Sequence, residues 1–224
     1  MKICAVVFDM DGVIADTEPL QKEIGGRMRD ELGIPQPAQQ GPMRVGGSSL
    51  DIWNARVKEY GLSATGEALK NQQFRRVLEL AAQRGLPPSD GLVELLRLLR
   101  QRGIPTAIAS SSDHFYVRGM VEYLGIAEYF DAIVGGDEVP ARKPAPDCYQ
   151  KAMELIGAKP QTSLAIEDSP MGIQAALAAG MACCGYQNPT SGQQDLSAAT
   201  FRVKSLREVA GLLEEGQNRA GSQG

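Results

Sequence analysis

An open α/β fold, a doubly wound parallel sheet with an inserted all-helical subdomain, is what the sequence predicts. Three observations carry that prediction. The chain opens on a short apolar run, Ile3-Cys4-Ala5-Val6-Val7-Phe8, stopped by Asp9-Met10-Asp11-Gly12, which reads as a buried strand leaving through a glycine turn. From Leu92 onward, apolar-faced helical patterns alternate with further short apolar runs, as in a parallel sheet with right-handed crossovers. Between the two, residues 16–84 contain no convincing strand pattern. The expected division is a core of residues 1–15 and 86–214, a helical insert of residues 16–85, and a disordered tail at 215–224.

In chain order, Thr17 to about Leu32 reads as a helix capped by Thr17 or Asp16, with Gly25-Gly26 weakening its middle. Residues 35–42 form a loop, and Ser48 or Ser49 caps a helix carrying Ile52, Trp53 and Val57. A longer helix follows over residues 65–83, with Leu69, Phe74, Val77, Leu78 and Ala81 at helical spacing. Pro87-Pro88-Ser89-Asp90-Gly91 marks the return to the core. Strands are expected at 106–109, 132–134, 163–166, 181–185 and 199–203, and helices at 92–102, 113–124, 146–156, 170–179 and 206–213. Beyond Glu214 the composition turns polar and glycine-rich, hence the expected disorder.

A hydrophobic content of 43% and a charged content of 22% describe an ordinary globular chain. The net charge of −4 provides no general basic surface for nucleic acid. The short apolar start is neither a signal peptide nor a membrane span, so a cytoplasmic monomer with no membrane partner is expected. Cys4, Cys148, Cys183 and Cys184 show no CxxC spacing and read as buried free thiols. His114 is the single histidine, which excludes a histidine-rich metal site and leaves proton chemistry to carboxylates.

Asp9 and Asp11 lie two apart at the carboxyl end of the first strand, where open α/β sheets place ligands. Two close carboxylates repel unless a cation holds one ionised while the other keeps a proton. That combination provides a nucleophile and a general acid. A calcium loop is the bland alternative, but Val13 and Ala15 occupy positions where it needs oxygen ligands. Ser110-Ser111-Ser112 ends another strand before a helix, which suits either phosphate binding or simple capping. Glu167-Asp168 ends a third strand, where an acidic pair beside Asp9 suits magnesium, with helix capping by Asp168 as the alternative. Lys143-Pro144 in a loop is weak evidence alone.

Phe8-Asp9-Met10-Asp11-Gly12-Val13-Ile14 with Asp16-Thr17-Glu18-Pro19 resembles the first motif of the haloacid dehalogenase superfamily, in its phosphatase and β-phosphoglucomutase-like branch. The resemblance covers nearly the whole chain short of its tail. It implies a Rossmann-like core, a mobile helical cap and magnesium-dependent phosphoryl transfer on a small phosphorylated metabolite. Asp9 would be the nucleophile and Asp11 the acid and base. Magnesium would be held by Asp9, the main-chain carbonyl of Asp11 and Asp168, with Glu167 as a ligand or an orienting group. Ser110 and the amide of Ser111 would bind phosphate, and Lys143 would neutralise it. His114 would touch substrate or remain an ordinary surface residue.

Relatives that act as sugar phosphomutases carry a histidine where this chain has Gln21, and cations around a cap-loop glycine matching Gly46. Val45 and Ser49 stand there instead, with Arg44 as the one nearby candidate for gripping substrate. The resemblance therefore implies a phosphatase, with a phosphomutase as the alternative and a non-catalytic protein binding through its cap as a second one.

Overall fold

The computed structural model describes residues 2–35 and 49–221. Six strands, β1 (Ala5–Phe8), β2 (Thr106–Ala109), β3 (Ala132–Val134), β4 (Ser163–Glu167), β5 (Ala182–Tyr186) and β6 (Phe201–Val203), form one parallel sheet in the order β3-β2-β1-β4-β5-β6. The helices are α1 (Glu18–Glu31), α2 (Ser49–Tyr60), α3 (Gly66–Arg84), α4 (Leu92–Gln101), α5 (His114–Tyr123), α6 (Asp147–Leu155), α7 (Pro170–Ala178) and α8 (Leu206–Gly221).

Strand alternation divides the core into two layers. Val6, Phe8, Ile108 and Ile166 face a cluster built with Leu92, Leu95, Leu96 and Leu99 of α4, Val117 and Met120 of α5, and Leu206 and Val209 of α8. Val7, Ala107, Ala165 and Cys183 face the other side, against α6 and α7. Because both faces are covered, β1 is buried along its whole length, and its sequence is a continuous apolar run for that reason. The first cluster continues into α1, α2 and α3 through Ile24, Met28, Trp53, Phe74 and Val77. Phe74 of α3 stacks on Tyr116 of α5 with ring centroids 4.4 Å apart.

Four local expectations are corrected. Cys4 is exposed, because β1 begins only at Ala5, while Cys148, Cys183 and Cys184 are buried and all four thiols are free. Thr17 stands at the start of α1 but makes no side-chain cap; its hydroxyl is turned to Asp11. Gly25-Gly26 does not interrupt α1, since α1 packs on α3 and that contact outweighs propensity. The last helix runs to Gly221 rather than ending at Leu213; Glu214, Glu215, Gln217, Arg219 and Ala220 among the added residues are helix formers. Most of the loop expected at residues 35–42, together with Arg44, Val45, Gly46 and Ser48, lies outside the described residues. Among the described residues no helix is long and apolar enough to cross a membrane.

Candidate active site

The strand register assembles the site. Phe8 pairs with Ile108 on one side and with Ile166 on the other, so the next residues, Asp9, Ala109 and Glu167, come level at the carboxyl ends of the central strands. The Asp9 amide donates to the Ile166 carbonyl at 2.9 Å. α4 and α5 cover one face and α6 and α7 the other, so the winding reverses between β1 and β4, where open sheets leave a crevice. A cleft opens there, lined by Asp9, Asp11, Ser111, Lys143, Asp168 and Ser169 from the core, with Glu18, Gln21 and Ser49 from α1 and α2.

One buried ammonium serves two carboxylates. Lys143 Nζ lies 2.6 Å from Asp9 Oδ1 and 2.5 Å from Glu167 Oε1, and 4.9 Å from the ring centroid of Tyr149. The Tyr149 hydroxyl donates to Glu167 Oε1 at 2.7 Å, and Ser169 Oγ donates to Glu167 Oε2 at 3.2 Å, so both oxygens of Glu167 are engaged. Asp168 differs. Its Oδ2 accepts from Ser191 Oγ at 2.8 Å, while Oδ1 is buried with no partner. Ser169, not Asp168, caps α7 by accepting from the Gly172 amide, which removes the capping alternative for Asp168.

The donor set fits a divalent cation. Oxygens of Asp9, Glu167 and Asp168 all lie within 4.8 Å of one another, three buried carboxylates facing the single ammonium of Lys143. Burial, then Glu167 and Asp11, push the Asp9 carboxyl up to about 8 despite Lys143. Burial, with Asp9 and Glu167, holds Asp168 well above the ordinary carboxylate range. Lys143 is driven the other way: burial disfavours its charge, but Asp9 and Glu167 overcome this and raise its pKa. A hard cation with oxygen ligands supplies the missing positive charge.

Asp11 sits in different company. Its Oδ1 accepts from Thr17 Oγ1 at 2.5 Å and Gln21 Nε2 at 2.8 Å, and its Oδ2 from Ser112 Oγ at 2.7 Å. Burial raises its pKa, while the Thr17, Ser112 and Gln21 donors act against the rise. The side chain thus stands apart from the Asp9–Glu167–Asp168 group. Glu18 nearby is pushed up to about 7 by burial and by the Asp11 and Asp16 charges. Gly12 turns the chain out of β1 with φ +84°, and a Cβ there would lie 2.0 Å from Asp168 Oδ2, so only glycine fits both demands.

The serine turn is built from its own hydroxyls. Ser110 Oγ accepts from the Ser112 amide at 3.0 Å, and Ser111 Oγ is buried without a partner beside the cleft. None of the three caps α5: its first amide, on His114, donates to Asp137 Oδ1. The His114 ring pairs with Glu138 at 2.8 Å, and the residue does not line the cleft. Arg142, next to Lys143, is part-buried and donates to Asp113 Oδ1 at 3.1 Å. Several contributors were not singled out from sequence. Thr17 reads as a helix cap and Ser112 as one of a serine run. Tyr149 and Ser191 carry no local signal, because their partners are distant in the chain.

Comparison with known proteins gives consistent results. The haloacid dehalogenase-like hydrolase family matches over residues 3–180. The chain is similar to a phosphorylated carbohydrates phosphatase of Thermotoga maritima, 30% identical over 94% of this chain and 98% of the relative. It is also similar to the fructose-1-phosphate phosphatase of Escherichia coli, 29% identical over 80% of this chain and 94% of that one. Among solved structures, CbbY from Rhodobacter sphaeroides in complex with phosphate has the same fold, with a TM-score of 0.83 at 24% identity over 92% of this chain and 96% of that one.

Proposed function

The chain belongs to the haloacid dehalogenase-like hydrolases, and from that premise we propose that it is a magnesium-dependent phosphatase acting on a small sugar phosphate through an aspartyl-phosphate on Asp9. The observation that carries this reading is the charge imbalance at the strand ends. Asp9 and Glu167 share Lys143, Asp168 lies beside them with no cation of its own, and one of its oxygens has no partner. Magnesium, bound by Asp9, Asp168 and the main-chain carbonyl of Asp11, would supply positive charge that orients the phosphate and lowers its repulsion of Asp9.

In the proposed reaction Asp9 attacks phosphorus, and the bond from phosphorus to the sugar oxygen breaks. Asp11 gives that oxygen a proton, then takes one from the water that releases phosphate from Asp9. A carboxyl whose pKa is raised by burial suits the first half, and the Thr17, Gln21 and Ser112 donors that act against the rise suit the second. Lys143, Ser110 and Ser111 stabilise the phosphate oxygens. Glu167 anchors Lys143 rather than entering the reaction, since both its oxygens are already bonded.

Residues 16–85 act as a cap over a core of residues 1–15 and 86–214, a role supported by Glu18, Gln21 and Ser49 in the cleft wall. These neutral or acidic side chains suit hydroxyl groups, and two similar phosphatases are named for phosphorylated carbohydrates and fructose 1-phosphate. The substrate is accordingly a small sugar phosphate. Purified protein assayed against a panel of phosphate esters, with magnesium and with chelator, tests the proposal. Magnesium-dependent phosphate release is expected; no turnover of any ester would leave a non-catalytic binding protein.

A further inference from the structure

The turn after β5 reaches the site from a part of the chain with no catalytic motif, and it touches the site at three points. Asn188 Nδ2 donates to the Gly12 carbonyl at 3.1 Å. Thr190 Oγ1 donates to Asp16 Oδ1 at 2.5 Å, where the chain leaves the core for α1. Ser191 Oγ donates to Asp168 Oδ2 at 2.8 Å, with Ser191 itself only 2% exposed. The packing among these groups is close: a Cβ on Gly12 would meet both Asp168 Oδ2 and Asn188 Nδ2.

We propose that Ser191 is a positioning residue, which fixes the Asp168 carboxylate so that Oδ1 is presented to the cation; this rests on the metal reading of Asp168. A carboxylate has two equivalent oxygens, and without an anchor its plane rotates about the terminal bond. With Oδ2 held by a buried hydroxyl, one orientation is selected and the lone pairs of Oδ1 stay free, as its unpartnered state shows. Outer hydrogen bonds of this kind set metal affinity by fixing ligand geometry before the ion arrives. Asn188 and Thr190 hold the turn itself against the first loop of the core, so Ser191 keeps its register with Asp168.

The test is magnesium binding measured by titration calorimetry in the absence of substrate. Ser191→Ala should weaken binding about tenfold, and Ser191→Thr, which keeps the hydroxyl, should restore most of it. Ser191→Cys keeps the volume with a weaker donor and should also bind weakly, which guards against a fold defect in the alanine variant. Equal affinity in wild type and in the alanine and cysteine variants would overturn the positioning role alone. Absence of magnesium binding in wild type would overturn the metal reading and this inference with it.

Discussion

Asp9 and Asp11 are separated only by Met10, and their surroundings divide the labour between them. Asp9 faces a lysine and two further buried carboxylates, whereas Asp11 is ringed by neutral donors. Asp11→Asn should therefore keep magnesium binding and lose turnover by about 10²-fold or more, because an amide transfers no proton. Near-normal turnover in that variant would remove its acid–base role. Asp9 also makes a prediction about stability. Its pKa is raised to about 8 in the folded protein against about 3.9 in an unfolded chain. Between those values the native state holds a proton that the unfolded chain has released. Stability of the metal-free protein therefore falls as pH rises through that window. Lys143 titrates above the window and does not change the sign. Thermal unfolding in chelator across this range should show the decline, to which the raised carboxyls of Asp11, Glu18 and Asp168 also contribute, and Asp9→Asn should make it shallower; equal slopes would refute the assignment.

At the level of elements, the site is made where three strand ends come level and the starts of α1 and α2 lean in. The strands were legible in the sequence because both faces are buried, which leaves continuous apolar runs at β1, β2 and β4. The helical insert was legible for the opposite reason, its apolar residues recurring at helical spacing. Long-range contacts were not legible. Nothing near Tyr149 points to Glu167, and nothing near Ser191 points to Asp168, because the topology alone brings them together. Thr17 shows how a local rule misleads. Its hydroxyl oxygen suits accepting a helix-end amide, but the side chain is turned to donate to the buried Asp11 carboxylate and no cap forms. Thr17→Val should therefore act through Asp11 rather than through α1. It should lower turnover severalfold and shift its pH profile, with little change in helix content by circular dichroism. A loss of helix content in proportion to activity would return Thr17 to a capping role.

For the molecule as a whole, the open question in the resemblance was hydrolysis or isomerisation. A phosphomutase must grip a second phosphate, which calls for cations. Among the described residues lining the cleft, Lys143 is the cation, and Asp9 and Glu167 already share it. Gln21 binds Asp11 and cannot exchange a proton near neutral pH as a histidine would. β-Glucose 1-phosphate primed with a bisphosphate should accordingly yield free phosphate, and rapid isomerisation with little phosphate release would reverse this choice. The central claim is narrower, that Asp9 carries the phosphoryl group. Rapid quenching of turnover with acid, followed by borohydride reduction and peptide mass spectrometry, tests it most directly. An acyl phosphate on Asp9 would be reduced to homoserine at position 9, only when substrate and magnesium are both present. Steady turnover with no modification at Asp9, or with modification at another carboxylate, would contradict the account.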